Sequence, residues 1–382
     1  MKKKLRDKII YICFKYYVIA FIFIAVYGQQ TGLKDVYKDD FYIGTAVNYW
    51  QIQGKDTLSL DILKQHFNSI TAENVMKWGA IHPALNKYNF TAADSFVALG
   101  EKYNLYIVGH VLVWHHQVPR WVFEDDSGNT IDRNTLLQRM KEHIYTVAGR
   151  YKGRVHCWDV VNEAVTDNGE IRRNKWCEII GEDYIQKAFE YTHEADPDAE
   201  LIYNDFSMLN PAKRERVIRL VRDLKSKGVR IDGIGMQAHW HLNFPESMEE
   251  LEETIMAYSE LGVKVMITEM DINILPNPRR RIGADISLNF ELQKKYNPFV
   301  EGLPDSMNLK LAKRYADIFT VFYKLKDKVS RVTLWGIHDG QSWLNFWPIR
   351  GRMNYPLLFD RQYKAKLALD AVIKIKQSTK YE

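Results

Sequence analysis

The chain has 382 residues and a formal net charge of +5, a length that one closed α/β barrel with insertions can fill. Lys2, Lys3, Lys4, Arg6, Lys8 and Lys15 against Asp7 account for all of that charge, so the remainder is neutral. A neutral body offers no electrostatic footprint for a phosphate backbone, and Arg279, Arg280 and Arg281 are too few to make a basic face, which argues against nucleic acid as a partner.

The basic start leads into an apolar run at 16–27, too short to cross a bilayer, and then to Gly28, a small residue suited to a cleavage site. Residues 1–28 are therefore read as a signal peptide. Export to the periplasm, cell surface or medium is expected, with no membrane span in the mature protein; an uncleaved N-terminal anchor is the alternative. Cys13 lies in this segment and lacks the preceding small residues of a lipidation site. Cys157 and Cys177 have no CxxC neighbour, define no disulfide scaffold or metal site, and read as packing residues, with a bridge between them left open.

Beyond residue 40, β-branched and aromatic runs alternate with longer segments of helical period, the pattern of repeated βα units. Strands are expected at 41–48, 69–73, 105–113, 156–162, 200–205, 233–239, 264–271 and 331–338. Helical period is clearest at Leu136, Met140, Ile144, Val147 and Ala148, at Val217, Leu220, Val221 and Leu224, and over 309–325. No linker or repeat divides these units. The fold class is thus α/β: a single (β/α)₈ barrel over 29–382. The stretch 275–308, with Pro276, Pro278, Pro298 and Pro304, exceeds an ordinary βα connection and is expected to shape the rim of a cleft.

Function in such a barrel gathers at the C-terminal ends of the strands. The fourth predicted strand delivers Asn162 and Glu163, and the seventh delivers Glu269 and Asp271. A lone strand-end glutamate more often caps a helix or joins a surface ion pair. Two of them across one barrel meet the need of glycoside hydrolysis for an acid and a nucleophile or base. Trp78, Trp114, Trp240, Trp335 and Trp343 fall at strand ends, where faces can stack on sugar rings, whereas Trp158 and Trp176 read as core. His239-x-His241 and His115-His116 have ligand-like spacing without an assembled third ligand, so neither metal nor cofactor is expected. No serine elbow or phosphate-binding glycine loop is present.

Six ordered blocks carry a resemblance: Thr71-Ala72-Glu73-Asn74-Val75-Met76-Lys77-Trp78, Gly109-His110-Val111-Leu112-Val113-Trp114-His115, 158–164, Gly233-Ile234-Gly235-Met236-Gln237-Ala238-His239, 268–271, and Leu334-Trp335-Gly336 through Ser342-Trp343-Leu344. Together they resemble glycoside hydrolase family 10, whose usual activity is endo-β-1,4-xylanase, over about 40–376. The resemblance implies Glu163 as acid/base and Glu269 as the nucleophile that forms a covalent glycosyl-enzyme. It implies Asn162 on the sugar 2-hydroxyl, and His239 with Asp271 as a pair orienting Glu269. It implies Glu73, Asn74, Lys77, His110, Trp114 and Gln237 lining the glycone subsites, roofed by Trp335 and Trp343.

The expected partners are xylan and xylo-oligosaccharides, met by a monomer. A bulky roof excludes the hydroxymethyl group that glucose carries and xylose lacks. The field of ionised Glu269, together with partial burial, is expected to raise the pKa of Glu163. Val111, Met270, Ser207 and Asn174 depart from frequent family residues, none of them at a carboxylate. Rival readings are another retaining β-1,4-glycanase, a cellulase or mannanase, and a catalytically silent carbohydrate-binding barrel.

Overall fold

The computed structural model describes residues 31–278 and 285–378; the expected signal segment, Cys13 and the three consecutive arginines lie outside the described residues. Eight parallel strands close into a barrel: β1 (Tyr42–Val47), β2 (Ser69–Ala72), β3 (Tyr106–Gly109), β4 (Cys157–Asn162), β5 (Glu200–Asp205), β6 (Gly233–Met236), β8 (Lys264–Asn273) and β9 (Val329–Leu334). Pairing of β6 with β8 and of β9 with β1 completes the ring. A short strand, β7 (His239–His241), pairs only with the far end of β8, through Asp271, Ile272 and Asn273.

A helix follows each barrel strand: α1 (Thr57–His66), α2 (Thr91–Lys102), α3 (Arg133–Arg150), α4 (Tyr184–Ala195), α5 (Pro211–Ser226), α6 (Met248–Ser259), α7 (Asp305–Lys324) and α8 (Leu367–Ser378). Local chemistry starts several of them. Asp132 caps α3 by accepting from Thr135 N at 2.9 Å, and Asn210 caps α5, whose first residue is a proline with no amide hydrogen to satisfy. The apolar stripes then face the sheet, since Leu136, Met140, Ile144, Val147 and Ala148 of α3 and Val217, Leu220, Val221 and Leu224 of α5 are all buried. In α7 the stripe is Leu311, Tyr315, Ile318, Phe319 and Phe322, whereas Leu309 is 60% exposed on the opposite face.

Strand side chains alternate between the helix layer and the barrel interior. Val108, Cys157, Ile202 and Met266, from four strands, pack together, and Arg331 lies over the Tyr106 ring nearby. Cys157 and Cys177 are both free thiols, the first buried, in keeping with packing roles.

Three expected elements change at their ends. The third strand stops at Gly109 instead of running to 113, where only a single bridge joins Val113 to Val161. A Cβ at Gly109 would stand 2.2 Å from the Trp158 ring, so glycine is what lets that indole into the core. The sixth strand breaks after Met236 because Ala238 takes φ 60°, which re-aims the chain before His239. The eighth spans Val329–Leu334, two residues earlier than expected at its start and ending before Trp335.

The long connection after β8 yields to α7 at Asp305, so 305–308 are helical, not loop. It is tied down by Trp347 Nε1 donating to Asp285 O at 3.0 Å, Phe290 N to Pro348 O at 2.8 Å, and Tyr355 Oη to Phe299 O at 2.7 Å. Among the described residues, no helix is long and apolar enough to cross a membrane.

Candidate active site

Glu163 follows the last residue of β4, and Glu269 sits within the mouth-side half of β8. The ring order puts β5 and β6 between them on one side and β9, β1, β2 and β3 on the other, so the two strands are not diametrically opposed. The short arc supplies the bridge. Asn204, in β5, donates through Nδ2 to Glu269 Oε1 at 2.7 Å and to Asn162 Oδ1 at 3.1 Å. Gln237, just past β6, donates to Glu163 Oε1 at 3.0 Å and to Asn162 Oδ1 at 3.2 Å. Asn162 in turn donates to Glu163 Oε1 at 3.1 Å. Its amide bonds Glu163 directly and reaches Glu269 only through Asn204.

The two carboxyls have different surroundings. Glu163 also accepts from Trp114 Nε1 at 2.9 Å. Burial pushes its pKa up to about 7; the Asp205 carboxylate adds to this, and Glu269 contributes less than either. Asp205 is itself buried, bonded to Lys213 Nζ at 2.8 Å.

For Glu269, burial again pushes upward. The hydrogen bond from His239 and the positive field of His110 and His239 outweigh it, with Asn204 assisting, and hold the carboxyl below its ordinary range. His239 Nε2 lies 3.1 Å from Glu269 Oε2, and its Nδ1 lies 3.1 Å from Asp271 Oδ2. Although burial opposes its charge, Asp271 first and Glu269 next raise the imidazole to about 10, so it stands as an imidazolium donating at both nitrogens. Trp343 Nε1 donates to the same Asp271 oxygen at 2.6 Å, which ties the roof to the pair.

The long arc supplies the wall. Glu73, Asn74 and Lys77 follow β2, His110 and Trp114 follow β3, and Trp335 and Trp343 follow β9; all of them line one pocket with Asn162, Glu163, Gln237, His239 and Glu269. Lys77 Nζ bonds Asn74 Oδ1 at 3.0 Å and lies 4.9 Å over the Trp114 ring. Burial lowers its pKa against the pull of Glu269, Glu73 and Glu163, and burial likewise raises Glu73. His110 is oriented by Asp159, 2.7 Å from its Nδ1, and its ring meets Trp335 edge-on at 5.5 Å. Trp343 stacks on Trp347 at 4.5 Å.

Of the expected site residues, only Asp271 stands outside this pocket, behind His239, where it faces the adjoining cavity with Phe206, Trp240 and Trp347. Two strand-end tryptophans behave differently from the sugar-stacking expectation. Trp78 is buried against His143 at 3.6 Å, and Trp240 is 5% exposed in the wall of that second cavity. Trp158 and Trp176 are fully buried, as expected for core.

Ligand-type atoms of His110, Asp159 and Glu269 come within 4.8 Å of one another. They are engaged with each other and with His239 and Asn204, an arrangement that orients a carboxylate.

Sequence reasoning missed Asn204, Thr268, Asp159, Gln117 and Ile286. Asn204 is held by Thr268 Oγ1 donating to its Oδ1 at 2.6 Å, and the strand-end rule applied to β5 would have found it. Gln117 and Ile286 lie on loops and enter the pocket wall only through the fold. Glu163 has φ 58°, a left-handed conformation that costs on the order of 1–3 kcal/mol in a non-glycine residue.

The chain matches the family model described as Glycosyl hydrolase family 10 over residues 32–375. It is 46% identical to an endo-1,4-beta-xylanase A of Xylanibacter ruminicola, covering 92% of this chain and 95% of that protein. It is 43% identical to an endo-1,4-beta-xylanase of Geobacillus stearothermophilus, covering 90% and 98%. Among solved structures, a GH10 endoxylanase retrieved from a sugarcane soil metagenome superposes with a TM-score of 0.87 at 48% identity, covering 90% of this chain and all of that one.

Proposed function

The chain belongs to glycosyl hydrolase family 10, and from that premise we propose that it hydrolyses internal β-1,4 bonds of xylan by double displacement, with Glu269 as nucleophile and Glu163 as acid/base. The observation that carries the assignment of roles is the opposite push on two equally buried carboxyls, one raised to about 7 and one lowered.

In this reading Glu269, kept anionic by His239, attacks the anomeric carbon while Glu163 gives its proton to the leaving oxygen. The resulting glycosyl ester removes the charge of Glu269. Glu163, now a carboxylate, takes a proton from water, which attacks the same carbon and releases Glu269. Asn162, which bonds Glu163 and is joined to Glu269 through Asn204, is suited to the sugar 2-hydroxyl, where a hydrogen bond can strengthen as charge develops. Glu73, Asn74, Lys77, His110, Trp114 and Gln237 read the glycone hydroxyls, and Asp271 keeps His239 oriented. Trp335 and Trp343 close the space that a hydroxymethyl group needs.

Residues 29–382 form the catalytic unit in this reading, and residues 1–28 direct its export and are removed. The test compares reducing-end release from β-1,4-xylan, carboxymethylcellulose and β-mannan by the wild type and Glu269→Ala. Short xylo-oligosaccharides from the wild type alone are expected. Preferential cleavage of another glycan would move the specificity, and binding without cleavage of any would make this a silent carbohydrate-binding barrel.

A further inference from the structure

We propose that Tyr49 and Trp50, at the mouth end of β1, form an aromatic platform that binds the sugar chain where it leaves the glycone end of the pocket. The inference rests on the glycosidase reading above. Its basis is the order of strands around the ring. The glycone walls come from the segments after β2 and after β9, and β1 is the strand between those two. A chain seated between Glu73 on one side and Trp335 on the other, and extending away from β4 and β8, meets the segment after β1 next.

That segment is built to hold rings outward. Asn48 and Gln51 form a reciprocal capping box, with Asn48 Oδ1 accepting from Trp50 N at 3.0 Å and Gln51 Oε1 accepting from Asn48 N at 2.9 Å. Gln51 and Ile52 are buried, while Tyr49 is 49% and Trp50 is 57% exposed. Gln51 also bonds Gln341, two residues before the roof tryptophan Trp343, and Glu73 N bonds Val47 O at 3.1 Å. The turn is thus braced against both walls. The two rings stand edge to face, 6.1 Å apart at 75°, with Lys55 Nζ 4.9 Å over one face of Trp50, so a pyranose can stack on one ring with the other beside it. The scarcity of order-consuming side-chain motion in Trp and Tyr makes them efficient for such contacts.

The test measures kcat/KM for xylohexaose and for the much shorter aryl β-xylobioside, which offers two sugars only. In the Tyr49→Ala/Trp50→Ala double variant the ratio of the first to the second is expected to fall about tenfold. Trp50→Tyr, which keeps a ring, should retain most of the wild-type ratio, and Leu58→Ala, an exposed apolar change in α1, should leave it as it is. A ratio within twofold of wild type in the double variant overturns the platform alone. Wild-type enzyme that cleaves neither substrate overturns the glycosidase reading beneath it.

Discussion

Glu163 and Glu269 are buried almost alike, at 4% and 5% exposure, yet what surrounds each one is opposite in sign. Around Glu163 the strongest charged neighbour is another carboxylate, Asp205, and its hydrogen bonds come from neutral amide and indole groups. Around Glu269 stands an imidazolium held by Asp271. Burial alone would raise both acids; the His239 hydrogen bond and the fields of His110 and His239 decide which keeps its proton. Asn204 and Gln237, from the short arc between the two strands, hold both carboxyls in a single hydrogen-bonded unit while leaving that difference intact.

The largest effect should come from deleting the anionic partner. Glu269→Ala is expected to lose on the order of 10⁴-fold or more in kcat on every substrate, while circular dichroism and the unfolding transition stay close to wild type. Near-normal turnover in that folded variant would sink the assigned roles. Glu163→Ala should lose about 10²–10⁴-fold on xylan but far less on aryl glycosides with acidic leaving groups, which need no proton; equal losses on both would remove its acid role.

Gly235→Ala probes the bridge. A Cβ there would stand 2.4 Å from Asn204 Oδ1, so the amide must shift from Glu269, and kcat is expected to fall about 10–100-fold. Replacement with no kinetic consequence would mean that Asn204 does not orient the nucleophile.

The pH dependence sharpens the contrast further. The proposed mechanism needs Glu163 protonated, so kcat/KM should decline as pH rises past about 7. Stability follows the same proton: Glu163 binds it more tightly folded than unfolded, so this contribution is present at low pH and is lost as pH rises from the ordinary 4.5 through about 7. Denaturant titrations should therefore show Glu163→Gln gaining about 1–3 kcal/mol relative to wild type between pH 4 and pH 8. Glu269, depressed in the fold, works the other way and loses its contribution as pH falls. An identical pH slope in wild type and Glu163→Gln would contradict the raised acid. The smallest effect is expected from Cys177→Ser, a partly exposed free thiol, within about 0.5 kcal/mol and insensitive to reductant.

The strands and the pocket were largely legible in sequence because each rests on a local signal: an apolar run ending in Asn162 and Glu163, or in Glu269 and Asp271. What escaped depends on the ring. That β4 and β8 are joined through Asn204 and Gln237 follows from which strands lie between them, and Ile286 reaches the pocket wall only because its loop docks on the segment carrying Trp347. The break at Ala238 has no pattern in hydropathy; it is a backbone event that splits one expected strand into β6 and β7. The place of Trp78 after β2 predicts a sugar-stacking face, but the His143 ring from α3 claims it.

Glu163 occupies a left-handed backbone position, one where a polypeptide selected for folding alone would favour glycine. Glu163→Gly should then relieve that backbone strain while losing most turnover on xylan, and a screen that scores solubility or heat resistance without turnover would drift towards it. Any effort to harden this barrel by selection has to keep substrate in the assay, because a residue whose replacement relieves backbone strain is one that the proposed mechanism uses.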